Sequence, residues 1–188
     1  MRISPDALPS GLARGLRNAY LVTGSEPLLI AEACDAIRAA VRAQAPADRE
    51  VHFLERGFDW NALLADAANL SLFASRRLIE LRIGPTPDAQ AGRALAGLAQ
   101  HPPEDAVLLV AGEVERKTLT TAWVKAFEEH GVLVVTQPVE RSALPGWIRE
   151  RLGRKGIAIE AAAAELLADR VEGNLLAAQQ EIERIALA

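Results

Sequence analysis

The sequence has few of the side chains that build metal centres, disulfides or hydrolase sites. Its single cysteine, Cys34, excludes an internal disulfide and a cysteine-based metal cluster. The three histidines, His52, His101 and His130, are far apart and lack the spacing of metal ligands. No Gly-x-Ser-x-Gly motif is present. The residues therefore indicate neither a metal centre nor a serine nucleophile, and we expect no metal and no cofactor.

Long apolar runs and an excess of basic residues are also missing. No apolar run approaches the roughly 18 residues of a membrane span, and the N-terminus lacks the apolar core of a signal peptide. Lys and Arg number 21 against 25 Asp and Glu, for a net charge of −4. This balance argues against a protein that coats DNA, although it leaves room for a local basic patch. We expect a soluble, cytoplasmic protein with no membrane partner.

Strand and helix patterns alternate through the first three quarters of the chain. Short apolar runs predict strands, and amphipathic stretches between them predict helices. Strands that alternate with helices are typical of an α/β fold with a mostly parallel sheet. The predicted strands cover residues 19–23, 51–55, 77–83, 106–110 and 132–135. The predicted helices cover 27–45, a stretch capped by Asp59, 89–98 and 118–129.

The pattern changes after residues 137–138, because three helical stretches follow without a strand. They cover residues 144–154, 161–170 and 174–187, the last with Asn174 as a helix cap. We therefore predict a domain of residues 1–139 with a mostly parallel sheet flanked by helices, and a small three-helix domain of residues 140–188. The abrupt end inside an amphipathic helix leads us to expect a piece of a longer protein.

The turn after the first predicted strand lies where a phosphate-binding loop would lie. Such a loop needs a second glycine, a lysine for the phosphates and a hydroxyl for magnesium. After Gly24, those three positions hold Leu29, Ile30 and Ala31. Glu26 adds negative charge there, and Pro27 removes one N–H donor. This chemistry favours an ordinary turn over a nucleotide site.

Two further stretches allow a functional and a structural interpretation. Glu113 follows the central predicted strand, as a magnesium-binding carboxylate would, but it has no second acidic neighbour, so a solvated loop residue is the better interpretation. Leu72 and Phe73 form an apolar pair between a predicted helix and a predicted strand. Because loops lie mostly on the surface, this pair is a candidate plug for a partner's pocket, with packing under the sheet as the alternative.

Three stretches together resemble a known family. Residues 19–29 (AYLVTGSEPLL), 70–78 (LSLFASRRL) and 172–181 (EGNLLAAQQE) are similar, in order and approximate spacing, to the delta subunit of the bacterial DNA polymerase III clamp loader. Residues 59–61 and 144–147 also resemble positions of this family. The resemblance implies an AAA+-like fold of the P-loop NTPase type with a degenerate phosphate loop, then a small helical lid-like domain. A C-terminal collar domain would follow in the family, and we expect it to be absent from this sequence.

The resemblance also implies a function. In the family, the subunit binds the sliding clamp (the beta subunit) and helps open the ring for loading onto primed DNA during replication. It does not hydrolyse ATP, so we expect no activity of this chain alone. The resemblance implies that the chain is a subunit of a nucleotidyltransferase holoenzyme, which also contains other clamp-loader subunits. By motif match, Leu72 and Phe73 bind the clamp. Their expected flanks are Leu70, Ser71, Ala74 and Arg76.

Two other functions stay open. The chain is alternatively an inactive AAA+ scaffold that binds a partner other than the clamp. A nucleotide-binding enzyme is the third interpretation, and residues 29–31 argue against it because they lack the lysine and hydroxyl of a phosphate loop.

Overall fold

A six-stranded parallel sheet organises the first 137 residues of the computed structural model. The structure describes residues 1–68 and 76–187, with side chains described for all of these except 66–68. The described residues fall into two compact units, Met1–Gln137 and Pro138–Ala188. The chain therefore combines a sheet unit with a smaller helical unit.

All strand pairs in the sheet are parallel, in the order β1-β6-β2-β5-β4-β3. The two central strands, β2 and β5, consist almost entirely of buried residues, as expected for strands covered on both faces. Strand β3 forms one edge of the sheet. The strands are β1 (Arg2–Ile3), β2 (Ala19–Gly24), β3 (Ala47–Phe53), β4 (Arg76–Arg82), β5 (Ala106–Glu113) and β6 (Val132–Thr136).

Helices cover both faces of the sheet and create two hydrophobic cores. One core lies under α1 and α2 and includes Ile30 and Ile37 of α2. The other lies under α3, α4 and α5 and includes Trp60, Leu95 and Phe127. The helices of this unit are α1 (Leu8–Arg14), α2 (Pro27–Gln44), α3 (Trp60–Ala68), α4 (Ala89–Gln100) and α5 (Ala122–His130). This three-layer arrangement confirms the predicted α/β fold class.

The residues that the structure describes in the helical unit form three helices. Its core consists of apolar residues from all three, including Leu144, Ala164 and Ile182. The side chain of Asn174 accepts a hydrogen bond of 3.0 Å from the N–H of Ala177, so it caps the last helix as predicted. The helices are α6 (Leu144–Arg154), α7 (Ala161–Val171) and α8 (Leu175–Leu187).

Four details differ from the sequence predictions. We predicted no element before Ala19, yet β1 and α1 precede it, because a two-residue strand is too short to show a pattern. Strand β3 begins at Ala47 rather than at residue 51. Pairing with β4 stabilises a strand there, although Asp48, Arg49 and Glu50 have a low strand propensity. The helix predicted at 118–129 divides into a 3-10 turn (Arg116–Thr120) and α5, because Thr121 is extended. Glu113 ends β5 rather than lying in a loop, and it is exposed as expected.

Among residues 1–68 and 76–187, none of the helices combines the length and the hydropathy that a membrane span requires.

Candidate functional site

The turn between β2 and α2 is built differently from a phosphate-binding loop. Gly24 has φ +141°, and a Cβ added there would lie 2.1 Å from the carbonyl oxygen of Thr136, so the neighbouring strand fills the space above this residue. Ile30, at the position where a phosphate loop carries lysine, is 6% exposed and packs into the core under α2. The described turn therefore offers no cation to a phosphate group.

The charge at this turn is negative. Gly24 and Glu113 are register partners at the ends of β2 and β5, which brings Glu113 close to the start of α2. Burial raises the pKa of the Glu26 carboxyl, and the nearby charge of Glu113 raises it further. Pro27 is the first residue of α2 and has no N–H to donate. A phosphate here would meet two carboxylates and one donor fewer than usual.

The predicted clamp-binding pair lies in the connection between α3 and β4. Leu72 and Phe73, with their flanks Leu70, Ser71 and Ala74, fall outside the described residues. Arg76 is described: it is the partly exposed first residue of β4. The structure therefore places both ends of this connection, at Ala68 and Arg76, and leaves the role of the pair a prediction.

Helix α3 leads into the connection and is fixed at its start. The Asp59 carboxylate accepts hydrogen bonds of 3.0 Å from the N–H groups of Asn61 and Ala62, as predicted for a helix cap. Trp60 and Leu63 are buried against the sheet, at 6% and 2% exposure. The helix therefore enters the connection from a packed position.

Strand β4 is fixed immediately after the connection. The Arg76 guanidinium donates a hydrogen bond to the side chain of Gln44, at the end of α2. The buried Arg77 guanidinium donates two bonds of 3.1 Å to the Asp105 carboxylate, one from Nε and one from Nη2. The Arg77 N–H also donates to the Asp105 carbonyl at 2.9 Å. The first two residues of β4 are thus tied to two neighbouring elements.

The same strand carries a buried glutamate that is surrounded by arginines, a cluster that we did not predict from the sequence. Glu80 is 1% exposed and accepts hydrogen bonds from Arg38 at 2.8 and 2.9 Å and from Arg49 at 2.6 and 3.2 Å. Arg82 donates a further bond at 3.3 Å. A single acidic residue inside the apolar run 78–81 was the signal, because a buried carboxylate needs a cationic partner.

The arginines determine the ionisation of this carboxyl. Burial alone would raise the pKa of Glu80, but the hydrogen bonds and charges of Arg38 and Arg49 outweigh it and lower the pKa to about 2. The hydrogen bond to Glu80 in turn raises the pKa of Arg38. Glu80 and Arg38 are therefore both charged at neutral pH, and the cluster contributes to the stability of the sheet.

The side chains that could bind a metal ion are scattered over the described residues. No group of three or more His, Cys, Asp or Glu side chains in residues 1–68 and 76–187 comes together as metal ligands would. Cys34, the single thiol, is fully buried on the core-facing side of α2. The features that bear on the sequence predictions are the altered β2–α2 turn and the α3–β4 connection.

Comparison with known proteins decides the family. A family model for the DNA polymerase III delta subunit matches residues 20–137, which is more than half of the chain. The chain belongs to this family. This confirms the resemblance seen in the sequence, and the match covers nearly all of the sheet unit.

Two relatives that are named DNA polymerase III subunit delta align with essentially the whole chain. The chain is 33% identical over 189 residues to DNA polymerase III subunit delta of Escherichia coli strain K12, covering 100% of this chain and 55% of that protein. It is 26% identical over 191 residues to the Haemophilus influenzae delta subunit, covering 99% of this chain and 55% of that protein. The chain therefore spans about half the length of these delta subunits.

Two solved structures share the fold of this chain. The Bacillus subtilis DNA clamp loader delta protein superposes with a TM-score of 0.73 at 19% identity, over 97% of this chain and 57% of that one. The Thermotoga maritima RuvB Holliday junction branch migration motor superposes with a TM-score of 0.56 at 16% identity, over 95% of this chain and 58% of that one. These likenesses confirm the AAA+-like fold of this delta-family chain.

Proposed function

We propose that this chain binds the polymerase sliding clamp and helps open the ring for loading onto primed DNA during replication in the cytoplasm. The observation that carries the proposal is membership of the delta-subunit family over residues 20–137. This range includes the whole α3–β4 connection. The proposal gives the chain a mechanical role within a larger loader and no reaction of its own.

We assign the clamp contact to Leu72 and Phe73, with Leu70, Ser71, Ala74 and Arg76 as flanks. Support comes from the two ends of the connection, since α3 is capped by Asp59 and the start of β4 is held by ion pairing and by sheet hydrogen bonds. A contact segment with fixed ends loses less conformational entropy on binding than a free one. The clamp would therefore meet a segment whose entry and exit are already placed.

The energy available from this pair suits an anchor. Burying one Leu and one Phe contributes roughly 1.5–3 kcal/mol each. A few side chains that fill a well-packed, desolvated pocket carry most of the energy of an interface. Opening the ring requires more than affinity, because binding shifts an equilibrium only when the open clamp is bound more tightly than the closed one. The pair would meet this condition if its pocket changes shape as the ring interface separates.

Nucleotide chemistry is assigned to other subunits. Ile30 is buried where a phosphate loop carries lysine, and two carboxylates, Glu26 and Glu113, lie close to the turn. We propose that ATP-binding clamp-loader subunits control when the delta chain reaches the clamp. We propose that contacts with those subunits and with primed DNA form within the assembled loader.

The test is a direct measurement of clamp affinity with a matched control. The double variant Leu72→Ala/Phe73→Ala and the wild type are titrated with purified sliding clamp. The control removes two apolar side chains that are exposed in the helical unit, Leu166→Ala/Leu176→Ala, where the exposed fractions are 71% and 55%. Thermal unfolding of each variant shows whether the fold survives.

We expect the Leu72/Phe73 variant to lose at least about 100-fold in affinity, because each hot-spot truncation costs about 2 kcal/mol or more and 1.4 kcal/mol is tenfold. The control should bind like the wild type. A folded Leu72/Phe73 variant with normal affinity would contradict the assignment. Unfolding of that variant would show that the pair packs under the sheet instead.

A further inference from the structure

A buried arginine lies where the chain leaves the α3–β4 connection. Arg77, the second residue of β4, has a side chain that is 7% exposed, although arginine is rarely buried unless it is paired. Its Nε and Nη2 atoms donate hydrogen bonds of 3.1 Å to the two carboxylate oxygens of Asp105, whose side chain is 21% exposed. The ion pair is therefore a two-point contact that is largely removed from solvent.

The main chain joins the same two residues. The N–H of Arg77 donates a hydrogen bond of 2.9 Å to the carbonyl oxygen of Asp105. Asp105 lies directly before β5, and Arg77 is the register partner of Ala106, the first residue of β5. These contacts fix the position of Arg77 relative to a central strand, immediately after the connection.

The Arg77 side chain lies on the side of the sheet that α3 covers. Side chains two apart on a strand share a face, so Arg77 shares its face with Ile79 and Leu81. Those two residues belong to the core under α3, α4 and α5. Helix α3 enters the connection on this side of the sheet. The ion pair therefore lies on the face from which the chain passes into β4.

An ion pair of this kind fixes a position more than it adds stability. Removing two charges from water costs free energy that their attraction repays only in part, so well-packed apolar residues in the same place are often equally stable. A guanidinium and a carboxylate, however, meet in one bidentate geometry, because the donors of arginine form a rigid fork. Apolar side chains impose no such geometry. The pair therefore suits a place where the course of the chain matters.

The contact of the neighbouring residue Arg76 is more accessible to water. Arg76 donates a hydrogen bond to the side chain of Gln44 at the end of α2, and this bond is exposed. An exposed hydrogen bond replaces bonds to water and has a small net effect. Arg76 is also a proposed flank of the clamp contact. Arg77 is therefore better placed to hold the start of β4 while a partner binds.

We propose that Arg77 and Asp105 are positioning residues for the clamp contact, and that their ion pair holds the exit of the connection that carries Leu72 and Phe73. The inference rests on the proposed function, because it requires that this connection contacts the clamp. In this arrangement neither Arg77 nor Asp105 touches the clamp. A fixed exit reduces the conformational entropy that is lost on binding, so loss of the pair weakens binding without removing a contact.

The test replaces the ion pair with two apolar residues. Arg77→Met/Asp105→Leu leaves no unpaired charge, whereas either single substitution would leave one partly buried charge without its partner. The matched control, Arg141→Met/Asp169→Leu, makes the same changes at an arginine–aspartate pair of the helical unit whose side chains are 79% and 66% exposed. Urea denaturation compares the stability of each variant with that of the wild type.

We expect the Arg77/Asp105 variant to keep its urea midpoint and to lose at least about tenfold in affinity for purified sliding clamp, because a smaller fraction of molecules is ready to bind. The loss should appear as slower association. Truncation of Leu72 and Phe73 should instead act mainly by faster dissociation. A merely structural pair would change the urea midpoint and leave both rates unchanged. The Arg141/Asp169 control should bind like the wild type.

A double-mutant cycle tests whether the ion pair acts through the contact. Arg77→Met/Asp105→Leu is combined with Leu72→Ala/Phe73→Ala, and the affinities of the wild type, the two variants and the combination are compared. Residues that act together show losses that do not add as free energies. We therefore expect the loss caused by the Arg77/Asp105 change to shrink once Leu72 and Phe73 are truncated.

The outcomes separate this inference from the proposed function. Wild-type affinity in the folded Arg77/Asp105 variant, beside lost affinity in the Leu72/Phe73 variant, would overturn the positioning role alone, as would fully independent losses in the cycle. Normal affinity in a folded Leu72/Phe73 variant would overturn the proposed function and this inference with it. If the apolar variant does not fold, Arg77→Lys replaces it, since lysine keeps the charge and loses the two-point geometry. Wild-type affinity in Arg77→Lys would then overturn the proposal, and slower association would support it.

Discussion

Two glutamates of the sheet unit, Glu80 and Glu26, illustrate opposite uses of a carboxylate. Glu80 is fully buried, yet Arg38 and Arg49 lower its pKa to about 2. Glu26 lies at the start of α2, where burial and the nearby charge of Glu113 raise its pKa. The difference shows that neighbouring charge matters as much as burial. A compensated carboxylate joins elements together, whereas an uncompensated one makes its surroundings unfavourable for anions.

Removing the carboxylate of Glu80, which the arginines compensate, should have the largest effect on the free energy of unfolding. Glu80→Ala leaves Arg38, whose side chain is only 12% exposed, without its main partner. Breaking a buried ion pair from one side costs about 3–5 kcal/mol. We therefore expect Glu80→Ala to lower the free energy of unfolding by roughly that amount, as measured by urea denaturation.

The matched control for this comparison is Glu113→Ala, which removes an exposed glutamate at the end of β5. Exposed substitutions without special contacts stay within about 0.5 kcal/mol. If Glu80→Ala proved as mild as Glu113→Ala, the arginine cluster would contribute nothing to stability.

The same cluster predicts a pH dependence of stability. The folded pKa of Glu80, about 2, lies below the unfolded value of 4.5. The unfolded state therefore binds more protons at mildly acidic pH, so the contribution of Glu80 is complete above pH 4.5 and is lost as the pH falls towards 2. The difference in pKa corresponds to about 3 kcal/mol.

The measurement is the difference in unfolding free energy between the wild type and Glu80→Ala at a series of pH values. This difference should shrink steadily below pH 4.5. A difference that stays constant down to pH 3 would mean that the ion pairs do not determine the ionisation of Glu80.

Removing the uncompensated carboxylates of Glu26 and Glu113 should have the smallest effect, which concerns nucleotide binding. We expect neither the wild type nor Glu26→Gln/Glu113→Gln to bind Mg-ATP in calorimetry. Removing both charges does not restore the lysine and hydroxyl that Ile30 and Ala31 replace. Micromolar binding by the wild type would contradict the nucleotide interpretation. Binding by the double variant alone would show that charge, rather than missing donors, excludes the nucleotide.

Much of the fold could be predicted because its strands and helices carry clear periodicity. The central strands β2, β5 and β6 are nearly continuous apolar runs, which is typical of strands buried on both faces. Strand β1 could not be predicted, since a two-residue strand exists only through its pairing with β6. The early start of β3 likewise depends on β4, because Asp48, Arg49 and Glu50 disfavour a strand on their own.

Some features of the candidate site could likewise be predicted from the sequence, and others could not. The altered phosphate loop was evident from residues 29–31, since the missing lysine and hydroxyl are matters of residue type. The Glu80 cluster joins α2, β3 and β4, and no spacing within one segment reveals which arginines meet one carboxylate. The clamp contact of Leu72 and Phe73 came from family resemblance, and it stays a prediction because the pair lies outside the described residues.

The central claim is that this delta-family chain binds the clamp as a module that needs no nucleotide. The most direct test is the dissociation constant for purified sliding clamp, measured for the wild-type chain with and without Mg-ATP. Linkage requires that any nucleotide coupled to clamp binding changes this constant. We predict the same dissociation constant under both conditions. A constant that changes with ATP, or a chain that does not bind the clamp, would contradict the claim.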